Sequence, residues 1–225
     1  MKATSLTLAV VLAAGLAAPA GADCPGCGTV TGSISVAMAS VRPDGPKHDR
    51  DVVVMLEPVD AAAPPATAGH AAMDQTGLVF VPHVLAVERG TTVTFLNNDQ
   101  EQHNVYFLDD RTGDTLDIGT WGPGVSVEHT FDRPGVMITL CKLHLEMAAF
   151  VVVCPSPWFV TAQLDPATST ASYEIAGVPA GRYELAVWHK KLKQQGGAVR
   201  IDVTPAATTE VDIVITKAKY ARAAD

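Results

Sequence analysis

Apolar and polar residues alternate through much of this chain. Thr29-Val30-Thr31-Gly32-Ser33-Ile34-Ser35-Val36 changes character at nearly every second position and is rich in β-branched types, the pattern of a strand with one buried face. Val52-Val53-Val54-Met55-Leu56 is an uninterrupted apolar run of strand length. Between them, Val41 to Asp51 is polar and carries Pro43, Gly45 and Pro46, so it predicts a loop. Ala61 to Gly69, with Pro64-Pro65, has linker composition. Further on, Leu78–Pro82, Val84–Val87, Thr91–Leu96, Val125–Phe131, Val136–Cys141 and Ala149–Val153 predict short strands, with turns at Gly90 and Pro134-Gly135. Asp109 to Gly124, with its glycines, Trp121 and Pro123, predicts a loop. After Pro155, two alternating segments flank Val178-Pro179-Ala180-Gly181, and Lys190 to Gly197 reads as a basic loop. Val199–Val203 and Thr209–Ile215 complete the series. No segment keeps a helical period over three turns, so the expected class is all-β.

The N-terminus stands apart. A basic Met1-Lys2, an apolar Leu6 to Ala18 too short to span a bilayer, and Ala20-Gly21-Ala22 predict a signal peptide over 1–22. The expected product is exported, periplasmic or secreted, with Asp23 as its first residue and no membrane span. The remaining chain divides into 23–60, a linker at 61–69, a block at 70–154, a block at 155–216 and a tail at 217–225. The formal net charge of −8 argues against nucleic acid as a partner.

Candidate chemistry is concentrated in one place. Cys141-Lys142-Leu143-His144-Leu145-Glu146-Met147 sets a thiol, an imidazole and a thioether within seven residues. Upstream, His103 follows a polar run that begins at Asn97. Two His, one Cys and a weak axial Met form the ligand set of a mononuclear electron-transfer copper site. Thiolate and thioether suit Cu(I), and imidazole suits both oxidation states. The expected cofactor is one Cu(II)/Cu(I) ion held by His103, Cys141, His144 and Met147. Asn104 and Glu146 are expected beside that set, Asn104 as a hydrogen-bonding lock on the ligand loop.

Four cysteines are present. With Cys141 assigned to the ligand run, Cys24-Pro25-Gly26-Cys27 is expected to close a local disulfide. A redox motif or second metal site at this pair stays open. His70 with Met73 is a candidate secondary metal site. His48, His83, His129 and His189 read as surface or hydrogen-bonded histidines.

Residues His70 to Cys154 resemble a cupredoxin of the plastocyanin and amicyanin type. The likeness is carried by Phe80-Val81-Pro82, Val87 to Asp99, His103-Asn104-Val105 and Phe131-Asp132-Arg133-Pro134-Gly135 running into the Cys141 loop. The C-x2-H-x2-M spacing is that of the short amicyanin loop. The resemblance implies an eight-stranded Greek-key sandwich with copper at one end. The last block, through Tyr173 to Val187, resembles the carboxypeptidase regulatory-like domain, a small Ig-like or transthyretin-like β-sandwich. Gly28–Gly32 and Val52–Leu56 resemble opening strands of that same domain, with the cupredoxin inserted between them and the later strands. The combination is similar to exported methylamine-utilisation or plastocyanin-like proteins.

The expected function is therefore a periplasmic type 1 copper protein, blue or green, that passes single electrons and is not an enzyme. A redox protein would dock near His144, on an apolar collar of Leu143, Leu145, Ala148 and Ala149. The alternatives are copper storage, delivery or resistance, and a metal-free β-sandwich binding module.

Overall fold

The computed structural model describes residues 24–37 and 50–217. The expected signal peptide, most of the loop after Val41 with His48, and the tail beyond Lys217 lie outside the described residues. Every regular element that is described is a strand. No described helix is long and apolar enough to cross a membrane.

Strands β1 (Cys27–Val36) and β2 (Asp51–Pro58) precede the linker. The central block holds β3 (His70–Thr76), β4 (Val79–Val81), β5 (Val84–Glu88), β6 (Thr91–Asn97), β7 (His103–Asp109), β8 (Thr115–Trp121), β9 (Ser126–Phe131), β10 (Gly135–Leu140) and β11 (Ala148–Cys154). Then come β12 (Phe159–Gln163), β13 (Thr170–Pro179), β14 (Gly181–Trp188), β15 (Leu192–Gln194), β16 (Val199–Val203), β17 (Thr208–Glu210) and β18 (Ile213–Lys217).

The chain ends share one sheet. β1 pairs with β13, β17 and β18, while β2 pairs with β12 and β14. Its two halves, β12-β2-β14-β16 and β15-β18-β1-β13 with β17, meet through the single pair Trp188↔Lys193. Val30 and Ile34 of β1, Val54 and Leu56 of β2, Ile175, Leu185 and Ile215 fill the core between the halves. The block 70–154 leaves this sheet after β2 and returns to it at β12, which lies antiparallel to β2. Both ends of the block therefore connect to neighbouring strands.

The block itself is two sheets, β5-β11-β10-β7-β8 and β4-β3-β6-β9. Met73, Phe95, Phe107, Phe131 and Val151 pack between them. The eight strands expected from the resemblance become nine; β4 and β5, on either side of Pro82, lie in different sheets. β8 also falls where a loop was expected. Its residues are mostly exposed, and it lies at a sheet edge with a register shift opposite Val105/Tyr106. Such a strand carries little hydrophobic signal.

The apolar runs at β2 and β11 have a common cause. Val52, Val54 and Leu56 face the flanking core, whereas Val53 and Met55 face the central block. Ala149, Val151 and Val153 face the core of the central block, whereas Phe150, Val152 and Cys154 face the flanking sheet. A strand covered on both faces loses its alternation. These runs thus mark the joint between the two units, where the Phe150 and Trp188 rings lie 5.2 Å apart.

Candidate metal centre

The end of β10, the start of β7 and the loop before β11 meet at one end of the central block. His103 opens β7, Cys141 follows β10 directly, and His144 sits mid-loop. The Met147 amide donates to the His144 carbonyl at 3.0 Å, which curls the loop back on itself.

His144 Nδ1 lies 3.0 Å from His103 Nδ1 and 3.8 Å from Cys141 Sγ. One donor atom from each of the three residues falls within 4.8 Å of the others. An ion about 2.0 Å from each nitrogen and about 2.3 Å from sulfur sets its donors roughly 3–4 Å apart. The donor set and its spacing therefore fit a single soft-to-borderline ion such as copper. Met147 is buried in the same apolar cluster as Cys141. Glu146 is exposed and lies outside the converging group.

The ring of His103 is fully buried and held from behind, with Nε2 2.8 Å from Asp99 Oδ2. That contact leaves Nδ1 for the site and fixes the ring, as a carboxylate behind a ligating His does. Asp99 is itself tied to the β3–β4 turn by the amides of Gly77 and Leu78. Both turn residues have positive φ, 65° and 59°, so their successive N–H groups point together at one anion. Burial pushes the Asp99 carboxyl up, but those amides and His103 outweigh it and hold it below the usual carboxylate range. Asp99 carried no signal in the sequence, because an Asp four positions before a His has meaning only once a loop folds back.

Asn104 lies beside the Cys141 loop. Its amide N donates to Cys141 Sγ at 3.4 Å, and its Oδ1 accepts from the Lys142 amide at 3.4 Å. Cys24 and Cys27 form a disulfide. His189 is buried, and its Nδ1 accepts from the amides of Lys191 and Leu192.

Two expectations fail. His70 and Met73 do not form a secondary site. Both lie on β3, where positions three apart face opposite sides; His70 is exposed and Met73 is buried in the core. Ala149 cannot belong to an exposed collar, because it faces inward on β11 and is fully buried. The exposed apolar residues beside His144 are Leu143 and Leu145, 52% and 86% accessible.

Residues 67–154 match the family of copper binding proteins, plastocyanin/azurin family; this segment is a cupredoxin domain. Among solved structures, the chain is similar to a copper-containing nitrite reductase from Thermus scotoductus SA-01, with 25% identity over 43% of this chain and a TM-score of 0.36. It spans only 25% of that enzyme's length. It is also similar to a purple cupredoxin from Nitrosopumilus maritimus, with 26% identity over 37% of this chain, 98% of that one and a TM-score of 0.33. A reduced Cu(I) form of an amicyanin mutant shares 26% identity over 44% of this chain and 97% of that one, with a TM-score of 0.35. No curated protein matches the chain.

Proposed function

We propose that this protein is a type 1 copper electron carrier of an exported compartment, in which His103, Cys141, His144 and Met147 would hold one ion. The observation that carries this reading is the convergence of two Nδ1 atoms and one Sγ within 4.8 Å, in a segment that matches a copper-binding family.

Copper in such a site supplies a one-electron change between Cu(II) and Cu(I). The chain supplies the rest. Asp99 holds the His103 ring from behind. The Asn104 amide directs a hydrogen bond at the thiolate, a contact that tunes potential. The buried surroundings of Cys141 and Met147 keep water from the sulfur side. His144 is the partly exposed member of the set, so its ring is where electrons would enter and leave. Leu143 and Leu145 form a small apolar contact for a redox protein, which suits a partner that must leave quickly. The flanking sheet would serve as a scaffold of the carboxypeptidase regulatory-like kind.

The test is a Cu(II) titration followed by visible absorption. One equivalent should produce a strong thiolate-to-copper band that Cys141→Ala abolishes. A colourless wild type would end this reading in favour of a metal-free module. Uptake of more than one ion, or ready surrender of Cu(I), would favour copper storage or delivery.

A further inference from the structure

The hydrogen bonds around Asn104 lead to a residue outside the ligand loop. Asn104 is buried beside His103, and its Nδ2 donates to Asp117 Oδ1 at 2.9 Å and to the Gly119 carbonyl at 2.8 Å. The same Asp117 oxygen accepts from the Gly119 amide at 2.9 Å. The other carboxylate oxygen, Oδ2, accepts from Lys142 Nζ at 2.6 Å. Asp117 therefore touches the residue after His103 and the residue after Cys141.

An Asn side chain has a donor end and an acceptor end that are similar in shape. A carboxylate only accepts. By taking Nδ2 together with the Gly119 carbonyl and Thr120 Oγ1, Asp117 leaves Oδ1 turned toward the ligand loop, where it receives the Lys142 amide. Flipping Asn104 would set its oxygen against the carboxylate and its NH2 against the Lys142 N–H. The strand is shaped for this task. Along β8 the pairing passes from Asp117 opposite Tyr106 to Gly119 opposite Val105, so Ile118 is an extra residue. Bulges of this kind re-aim side chains. Gly119 has φ of 117°, which a side chain would strain.

We propose that Asp117 is a positioning residue for the metal centre: it orients the Asn104 side chain so that Oδ1 receives the Lys142 amide, and in this way it sets the hold of the ligand loop on copper. This inference rests on the copper reading above. Position, not charge, is its content.

Two substitutions separate these. Asp117→Asn removes the charge but keeps an oxygen that accepts from Asn104 Nδ2. Asp117→Ala removes both, and Asp117→Val does the same with a residue that favours a strand. Each is loaded with Cu(II) and read by the position of the thiolate–copper band and by copper affinity against a competing chelator. Asp117→Ala and Asp117→Val should shift the band and lose about 10–100-fold in affinity, the usual effect of removing an outer hydrogen-bonding partner. Asp117→Asn should keep the wild-type band and stay within about threefold in affinity. Wild-type values in the Ala and Val variants would overturn the proposal, as would an Asn variant as impaired as Ala, since charge alone would then account for the effect. If neither Ala nor Val folds, Asp117→Asn decides, with a shifted band or a larger loss overturning the proposal. A wild type that binds no copper would defeat the copper reading instead.

Discussion

Cys141 and Cys154 are the two cysteines outside the disulfide, both buried, at opposite ends of one strand pair. β10 and β11 run antiparallel, so Cys141 follows Leu140 at the end that carries Ala148, and Cys154 lies beyond the Gly135↔Val153 pair. Cys141 faces the Asn104 amide and two imidazoles. Cys154 packs among Val53, Val84 and Val152, and its thiol donates to the Val152 carbonyl at 3.8 Å. Burial, and then the nearby Glu88 carboxylate, push its thiol far above the ordinary range. Equal burial thus sets one sulfur among convergent donors and leaves the other in an apolar core. Convergent donors make the difference, since a thiolate needs positive or hydrogen-bonding company to exist.

The sharpest way to break this contrast is to exchange the two sulfurs' fates. Cys141→Ala should abolish the thiolate–copper band entirely, while Cys154→Ala leaves it at wild-type strength; absorption after Cu(II) addition reads both. A band lost in the Cys154 variant would mean that the two ends are not independent.

Next in size is the joint beside Cys154. Phe150→Ala removes the ring that meets Trp188 and His83, and should cost about 3 kcal/mol. Urea unfolding followed by Trp fluorescence measures this. An unchanged midpoint would show that the joint contributes nothing to stability.

At the copper end, Asp99→Ala releases the buried ring of His103. Copper affinity should fall about 10–100-fold, with Cys141 still bound and the band still present. Chelator competition checks this, and a wild-type affinity would remove Asp99 from the account.

The smallest effect is alkaline. The Cys154 thiol has a raised folded pKa, so above its unfolded value of about 8.5 the unfolded chain loses a proton that the folded chain keeps. Stability should therefore fall as pH rises through about 8.5 to 10, by no more than about 1.4 kcal/mol per pH unit. Cys154→Ala should flatten that slope in denaturant unfolding measured at several pH values.

Legibility followed the range of the contacts. The convergence of Cys141 with His144 was legible because the two are close neighbours in the chain, and the chemistry of their donors limits what they could hold. Alternation at β1 and β9 was readable because each has one face toward water. β8 was not, because an exposed edge strand has no buried face to reveal it, and with it Asp117 stayed hidden. His70 and Met73 looked like a pair because they are close in the chain, yet a strand turns them apart.

Residue types and local order were enough to specify an all-β chain and to mark His103, Cys141 and His144 as donors that could hold a metal ion. Folding alone decided that Asp99 stands behind His103, that Asp117 stands behind Asn104, and that β2 lies against β11. Each of these is a contact between segments far apart along the backbone or across a reversed loop. Local periodicity records whether a residue will be buried, but the partner it meets there is chosen only when the sheets pack.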